Sequence, residues 1–329
     1  MRHDGSQVFH VSDFEAGQSL LVSLRRWRPQ APGSEAVQLL RNRQVQIDGN
    51  LCEDSQRRLK TGEVVKVLPH AIAAPPTAAD IRVHFFDEQL VVVEKPSGMT
   101  TMRHEEEAHW SARRRRREST LEDLLPSVLA NSLRAPRRNS PSRVRPPRVF
   151  PVHRLDRDTS GLMVFARTAA AERSLVQQFR EHSIDRSYLA IVEGKIVGQT
   201  IESFLARNRG DGKRGSVADS ENGQQAITHV RPVEFVNSHT LVECRLETGR
   251  THQIRIHLSE AGHPVCGDKE YRGPPGRKPI TDRSGAPRLA LHAAELGFEH
   301  PLTGVPLHFE SRLPRELADF LKRLRRIDT

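Results

Sequence analysis

From Val149 to the C-terminus the chain is a series of short apolar segments separated by polar turns, with few stretches long enough for a helical crossover. The segments LMVFA, SYLAIVEG and HTLVECRLE have the length and residue types of strands. The segment QIRIHL fits either a strand or the junction of a strand and a helix. Because strands dominate and do not alternate regularly with helices, the pattern predicts an α+β fold rather than a doubly wound parallel sheet.

Helical periodicity occurs at two places in the same part of the chain. In AAERSLVQQFREH, the side chains of Leu175, Val176 and Phe179 fall on one face. The C-terminal segment PRELADFLKRLRRI has an apolar face that consists of Leu317, Phe320, Leu321 and Leu324. Both segments are predicted to be amphipathic helices.

Residues 1–70 are interpreted as a compact basic module. Two stretches with leucines at helical spacing come first. Val45 and Ile47 then alternate with polar residues up to an Asp-Gly turn at 48–49, which is a hairpin signal. A last strand is expected over 64–68.

A second domain is expected over 81–329, after a Pro- and Ala-rich linker at 71–80. Two strands joined by a tight turn at 87–88 open this domain. An insert near 103–148 then breaks the pattern with 12 arginines, no lysine and 6 acidic residues. The insert contains one helical pattern, for which Ser119 and Glu122 have the form of a capping box, and its flanks are expected to be disordered.

The charge of the chain indicates what class of partner it binds, and its hydropathy and cysteine content indicate its compartment. A formal net charge of +10 and a pI of about 10.1 suit a polyanionic partner, although a solvated basic surface is the alternative interpretation. The sequence has no run of 18 apolar residues and no apolar leader. The 3 cysteines are widely spaced, and no histidine has the spacing of a zinc motif. We therefore expect a cytoplasmic protein without a metal.

The most informative stretch is VHRLDRDTSG at 152–161, directly before the strand LMVFA. Its charged residues are placed on a loop at the end of a sheet, where functional side chains are common. Taken alone, the stretch could equally be an Arg–Asp network that pins the loop.

HRLDRDTSGLMVFA resembles the signature loop of the RluA-type pseudouridine synthases. Four further segments resemble that family in the same order: VVVEKPSGM, RSYLAIVEG, LETGRTHQIRIHLSEAGHPVCGDKEY and LALHAAELGFEHPLTG. The resemblance covers most of 81–326 and implies the family's catalytic domain, an α+β domain with a large, mostly antiparallel mixed sheet. The N-terminal module resembles the small α/β RNA-binding domain of ribosomal protein S-four. The insert is longer than the family's connection, and it is either an RNA-binding arm or a tolerated insertion.

The resemblance implies that Asp156 is the essential catalytic carboxylate and that Asp158 is structural or solvent-facing. The arginine of the family's TGR motif corresponds to Arg250, whose guanidinium we expect to face Asp156 and to favour its charged form. Tyr188 corresponds to the family's active-site tyrosine, which can stack on uracil and take part in proton transfer.

RNA-binding residues are expected in both domains. The substrate base must leave its stack, and the resemblance implies that Arg154 fills the vacated space. Arg255 is expected to support the site or to contact RNA, and His252 to be a hydrogen-bonded core histidine. In the N-terminal module, Arg41 and Arg43 are the expected RNA contacts.

The expected function is the isomerisation of uridine to pseudouridine in structured RNA, with large-subunit ribosomal RNA as the expected substrate and tRNA as an open alternative. The reaction implies no cofactor and no metal. A non-catalytic RNA-binding or ribosome-assembly protein is the competing interpretation, and the joint presence of Asp156, Tyr188 and Arg250 argues against it. A nucleotide-dependent enzyme is not expected, because the GxGxxG match at 210–215 has no predicted strand before it and no helix after it.

Overall fold

The computed structural model describes residues 6–68, 75–103, 118–133 and 147–326. The chain divides into two compact units, residues 1–75 and 76–329. Residues 71–74 of the expected linker and most of the flanks of the Arg-rich insert lie outside the described residues, so the disorder expected for those flanks stays a prediction. In the described part of the chain, no helix is long and apolar enough to cross a membrane.

The first unit has four short strands and two helices, which are β1 Gln7–His10, α1 Leu20–Trp27, α2 Glu35–Arg41, β2 Val45–Ile47, β3 Asn50–Leu51 and β4 Val64–Val67. The strands form one antiparallel sheet in the order β1–β4–β2–β3. Apolar side chains from the helices and the sheet share one core, in which Leu20, Leu24 and Val65 have no exposed surface. This unit therefore has a hydrophobic core of its own.

The hairpin turn of the first unit has the expected conformation. Asp48 and Gly49 have φ angles of 48° and 77°, the left-handed values that a type I′ turn requires. Strand β1 was not expected from the sequence, and it pairs with β4 at the edge of the sheet. Its side chains are mostly exposed, so no buried face left a period-2 pattern in the sequence.

The second unit is built on one sheet of 11 strands, which are β5 Arg82–Phe86, β6 Leu90–Lys95, β7 Phe150–Pro151, β8 Ser160–Ala166, β9 Asp185–Glu193, β10 Gln199–Ala206, β11 Gly215–Val217, β12 Gln224–Val236, β13 His239–Leu246, β14 Leu291–Glu299 and β15 Pro306–Glu310. The order is β11–β10–β12–β13–β9–β14–β8–β6–β5, with β15 on β14 and β7 on β8. Every strand pair of the described sheet is antiparallel except β8 with β14. The expected large, mostly antiparallel mixed sheet is confirmed.

The helices described in the second unit are α3 Leu121–Leu133, α4 Ala169–Arg180, α5 Gln253–Glu260 and α6 Arg315–Arg326. Helices α4 and α6 lie where the apolar periodicity predicted them. The ambiguous segment QIRIHL belongs to α5 and is not a strand. Ile254 and Leu258, four residues apart on one face of that helix, both enter the main core of the unit.

The start of α3 differs from the expectation by one residue. The N–H of Asp123 donates to Oγ1 of Thr120 at 3.2 Å, and the N–H of Thr120 donates to Oδ2 of Asp123 at 3.0 Å. This reciprocal pair is the capping box of the helix. The box expected at Ser119 and Glu122 was therefore wrong, because both positions carry residues with suitable oxygens and only the packing of the helix selects the register.

The glycine-rich segment at 210–215 also differs in part from its prediction. Strand β10 ends at Ala206, so a strand does precede the segment. The chain then enters the short strand β11 and not a helix. Without a helix N-terminus the segment lacks the aligned N–H groups of a dinucleotide-binding turn. This agrees with the prediction that the GxGxxG match is not a nucleotide-binding loop.

Strand β8 places the loop 152–159 at the end of a rigid element. All its residues are buried. Met163 and Phe165 enter the core that contains α3 and α6, whereas Leu162 and Val164 enter a second core that contains α4. The strand is therefore packed on both faces, and the loop that precedes it has a fixed point of attachment.

Candidate active site

A close contact between two strands fixes the C-terminal end of the loop 152–159. Gly161 of β8 pairs with Ala293 in the parallel contact with β14. A Cβ atom at position 161 would lie 2.3 Å from the carbonyl oxygen of Ala293, and the φ of Gly161 is +124°. Only glycine fits both the space and this conformation. The glycine of the TSG turn is therefore required for the loop to meet the sheet.

Lys95, the last residue of β6, fixes the same loop from another side. Its buried ammonium group donates to the carbonyl oxygens of Pro96, Met99 and Arg157 at 3.0, 2.8 and 3.0 Å. Burial lowers the pKa of Lys95 to about 7, although the negative charge of Asp156 opposes this effect. This role could not be predicted from the sequence, because nothing in the residues next to Lys95 shows that its side chain will be buried.

A pocket of about 420 Å³ opens beside the loop. Its lining includes every site residue that was expected in the second unit, namely Arg154, Asp156, Tyr188, Arg250 and Arg255. The first two lie on the loop 152–159, Tyr188 lies on β9, Arg250 lies just before α5 and Arg255 lies on it. The fold of the second unit therefore brings together residues that are far apart in the chain. Asp158 lies on the same loop and is exposed, as expected.

The carboxylate of Asp156 faces Arg255 and not Arg250. Nη1 of Arg255 lies 3.5 Å from Oδ2 of Asp156, and Nε2 of His252 lies 3.7 Å from Oδ1. Nε of Arg250 instead donates to the carbonyl oxygen of Gln225 at 2.9 Å. The expected pair of Arg250 with Asp156 was therefore wrong. Because α5 is a helix, positions 252 and 255 share one face, and Arg250 precedes that face.

Arg255 is held in place by a buried carboxylate. Its Nε and Nη2 donate to Oδ2 and Oδ1 of Asp268 at 2.7 and 3.0 Å, and the side chain of Asp268 has no exposed surface. Burial acts to lower the pKa of Arg255, but the hydrogen bond and charge of Asp268 and the charge of Asp156 outweigh it, so the pKa is raised. The two-point contact fixes the plane of the guanidinium and directs Nη1 to Asp156.

His252 is hydrogen-bonded, as expected, but it borders the pocket. Its Nδ1 lies 2.8 Å from the hydroxyl oxygen of Tyr271. Burial lowers the pKa of His252, although the charge of Asp156 opposes this effect. The ring is therefore mostly neutral at neutral pH, and the fixed positive charge beside Asp156 is that of Arg255.

Gln253 fixes the turn that leads from β13 into α5. Its Oε1 accepts hydrogen bonds from the Arg250 N–H at 2.9 Å and from the Thr248 hydroxyl at 2.8 Å. Its Nε2 donates to the carbonyl oxygen of Ile227 at 2.9 Å. This buried amide thus sets the conformation of the TGRTH segment. Neither Gln253 nor Asp268 was assigned a role from the sequence, because their partners are distant in the chain.

Tyr188 lies on β9 and is only 8% exposed, with its side chain lining the pocket. Burial raises the pKa of Tyr188, and the charge of Asp156 acts in the same direction while that of Arg186 opposes it. The phenol is therefore un-ionised at neutral pH. It can offer its ring to a base or its hydroxyl to a hydrogen bond, and it is not a preformed phenolate.

The other expected RNA contacts lie in different surroundings. Arg154 is exposed at the pocket, and Arg41 is exposed at the end of α2 in the first unit. Arg43 forms an ion pair with Glu53 at 2.8 Å. Its charge is therefore partly neutralised within its own unit, whereas Arg41 presents its charge to solvent.

Comparison with known proteins places this arrangement in context. The family model of RNA pseudouridylate synthase matches residues 89–260. Ribosomal large subunit pseudouridine synthase D of Xanthomonas campestris pv. campestris is 33% identical over 324 residues, which are 96% of this chain and 91% of that protein. The uncharacterized RNA pseudouridine synthase YlyB of Bacillus subtilis is 35% identical over 298 residues, 89% of each chain. The solved structure of human RNA pseudouridylate synthase domain containing 4 has a TM-score of 0.57 at 25% identity, covering 74% of this chain and 93% of that one.

Proposed function

We propose that this chain, which belongs to the RNA pseudouridylate synthase family, converts specific uridines of large-subunit ribosomal RNA to pseudouridine with Asp156 as its catalytic carboxylate. The chain is a pseudouridine synthase, an isomerase that acts on RNA, as the family match and its relatives establish. The ribosomal target is inferred from the name of the Xanthomonas relative, which is similar over nearly the whole chain. A cytoplasmic location is part of the proposal, because the substrate is found there.

One observation supports the catalytic assignment most strongly. Asp156 is the carboxylate that a fixed guanidinium and a neutral imidazole face within the pocket, at 3.5 and 3.7 Å. The guanidinium therefore places a fixed positive charge beside the carboxylate. Asp268 orients Arg255 before any substrate arrives, so little reorganisation is needed during the reaction.

The chemistry requires a charged carboxylate beside the base. The glycosidic bond from the sugar to the ring nitrogen breaks, the uracil rotates, and a carbon–carbon bond forms between the sugar and ring carbon-5. An ionised Asp156 can begin this sequence by attack on the base, by attack on the sugar or by proton abstraction. Each route uses the same charged oxygen in the same pocket, and each is consistent with the position of Arg255.

The remaining pocket residues are assigned by their surroundings. The buried ring of Tyr188 is suited to stack on the uracil, and its un-ionised hydroxyl to take part in proton transfer. The exposed Arg154 is suited to occupy the space that the extruded base leaves. Arg250, which does not pair with Asp156, is assigned to an RNA phosphate at the pocket wall.

The first unit is proposed to be an RNA-binding domain of the ribosomal-protein-S-four type. It is rich in exposed cationic side chains, including those of Arg25, Arg41 and Lys60. Such a surface supplies contacts to phosphates that add affinity without reading the base sequence.

The experiment that tests the function is pseudouridine mapping of total RNA from the source organism with and without this gene. The deleted strain is complemented in parallel with wild type, with Asp156→Asn and with the matched control Asp158→Asn. We expect one or a few pseudouridines of large-subunit RNA to disappear, and to return with wild type and Asp158→Asn but not with Asp156→Asn.

Two other outcomes would change the assignment. Loss of pseudouridine from tRNA alone would move the substrate and keep the chemistry. An unchanged map in cells that express the protein would favour the competing function, a non-catalytic RNA-binding or ribosome-assembly protein.

A further inference from the structure

Three potential metal ligands converge in the second unit outside the active-site pocket. Glu193 ends β9, His239 begins β13, and Cys266 lies between α5 and β14. One carboxylate oxygen, one imidazole nitrogen and the thiol sulfur of these residues all lie within 4.8 Å of one another. The residues do not line the pocket that contains Asp156.

The backbone holds the three positions in register. Glu193 and His239 are directly opposite each other in the antiparallel pair of β9 and β13. The N–H of Cys266 donates to the carbonyl oxygen of Ile191 at 2.9 Å, and Val265 forms a bridge with Val192. Sheet hydrogen bonds therefore place these side chains together before any ligand binds.

His239 has an unused nitrogen that points into the cluster. The residue is 8% exposed, and its buried Nε2 has no hydrogen-bond partner in the described part of the chain. The nearest carboxylate oxygen, Oε2 of Glu193, is 3.7 Å away, which is too long for a hydrogen bond. A cation between the Nε2 lone pair of His239 and the carboxylate of Glu193 would relieve the repulsion between them.

The other nitrogen of His239 has the partner that a ligating histidine needs. Nδ1 lies 3.2 Å from the hydroxyl oxygen of Ser238. A metal-bound histidine usually donates its second N–H to a nearby acceptor, which fixes the tautomer and leaves the first nitrogen free for the metal. Donation from Nδ1 to Ser238 gives this tautomer and directs the lone pair of Nε2 at Glu193.

Cys266 and Glu193 complete a balanced set of charges. The thiol of Cys266 is buried and forms no disulfide, and a thiol that coordinates a metal gives up its proton. The second oxygen of Glu193 lies 3.4 Å from Nη2 of Arg272, and Nη1 of Arg272 lies 3.6 Å from Oδ2 of Asp282. A divalent ion would be neutralised by the thiolate and the Glu193 carboxylate, while Arg272 and Asp282 neutralise each other.

We propose that Glu193, His239 and Cys266 bind one Zn²⁺ ion. Cys sulfur, His nitrogen and carboxylate oxygen are all ligands of zinc, and a site with three protein ligands takes a water as the fourth in tetrahedral coordination. The ion would join the ends of β9 and β13 to the segment that begins at Cys266. Two residues later that segment carries Asp268, which holds Arg255, so the ion stiffens the support of the active site and takes no part in the reaction.

The test is a titration of the metal-free full chain with Co²⁺, a coloured substitute for Zn²⁺, followed by displacement with Zn²⁺. We expect one Co²⁺ per chain and a cobalt–thiolate charge-transfer band in wild type. The band should be absent in Cys266→Ser, and His239→Gln should weaken binding by more than about tenfold, since even loss of a supporting contact costs 10–100-fold. Cys52→Ser removes a half-buried thiol of the first unit and should leave the titration unchanged.

A measurement on folded wild type guards against variants that do not fold. Zn²⁺ should raise the Tm of wild type and of Cys52→Ser by mass action. Wild type that binds no stoichiometric Co²⁺ and gains no Tm from Zn²⁺ overturns the proposal and leaves His239 and Glu193 as a structural contact between β9 and β13. A thiolate band that persists in Cys266→Ser overturns it as well.

Discussion

The guanidinium of Arg255 lies 3.5 Å from the carboxylate of Asp156, and the buried Asp268 holds the opposite edge of the same guanidinium. Asp268 therefore fixes Arg255 independently of the substrate. The position of Arg255 on α5, three residues after His252, brings both side chains to one face of the helix and to one carboxylate. The helix α5 therefore determines which side chains face the carboxylate of Asp156.

Arg255→Gln is expected to lower kcat about 10²–10³-fold, the usual cost of removing one preorganised electrostatic group. It also leaves Asp268 buried without a counter-charge, which should cost about 3–5 kcal/mol of unfolding free energy. Arg250→Gln is the matched control and should change kcat by less than about tenfold, since Arg250 contacts a carbonyl oxygen. Single-turnover assays and urea unfolding measure both effects. A larger loss of kcat in Arg250→Gln would reverse the assignment.

Tyr188→Phe and Tyr188→Leu separate the two roles proposed for this side chain. If the hydroxyl takes part in proton transfer, Tyr188→Phe should lower kcat about 10²–10⁴-fold. Tyr188→Leu should in addition weaken the binding free energy of the RNA by about 1–3 kcal/mol, because it removes the surface on which the base stacks. Single-turnover rates measured over a series of RNA concentrations separate the effect on the rate of the chemical step from the effect on RNA binding. Equal activity in wild type and Tyr188→Phe would leave the ring with stacking alone.

Gly161→Ala is expected to destabilise the second unit and to impair catalysis. The added Cβ would meet the Ala293 carbonyl oxygen at 2.3 Å, at a φ of +124°, and backbone conformations of this kind cost about 1–3 kcal/mol before any steric clash is counted. Gly304→Ala is a control at another left-handed glycine, with open space around its Cβ. Urea unfolding should show the larger loss for Gly161→Ala. Equal losses would show that conformation, and not the contact with β14, governs position 161.

Lys95 should make the stability of the protein depend on pH. Its pKa is about 7 in the folded protein and 10.5 ordinarily, so between these values the unfolded chain holds a proton that the folded chain has released. Stability from this group therefore rises as pH increases from about 7, with a slope of up to about 1.4 kcal/mol per pH unit. The unfolding free energy of wild type minus that of Lys95→Met, measured from pH 7 to 10, should increase. A constant difference would contradict the lowered pKa.

Arg41→Gln and Arg43→Gln compare an exposed and a paired arginine of the first unit. Loss of one phosphate contact should reduce the slope of log Kd against log salt concentration by about 0.7–0.9. We expect this reduction for Arg41→Gln and a smaller one for Arg43→Gln, whose guanidinium lies 2.8 Å from Glu53. RNA binding measured over a series of salt concentrations gives both slopes. A slope that neither variant changes would exclude this part of the unit from the RNA interface.

Local patterns in the sequence were sufficient for many elements of the fold. The apolar periodicity of α4 and α6 and the hairpins at 48–49 and 87–88 depend on neighbours within a few residues, and all were found where expected. The segment QIRIHL was ambiguous because six residues fit both periods. It forms α5 because Ile254 and Leu258 must reach the same core.

The sequence by itself determined the family, the loop that carries Asp156 and the strand behind it, since contiguous residues encode them. Only the tertiary structure decided that Arg255 and not Arg250 faces Asp156, that Lys95 is buried beneath the loop, and that Glu193, His239 and Cys266 meet. These contacts join residues far apart in the chain. The order of strands in the sheet and the rotation of a helix set them, and spacing along the sequence contains neither.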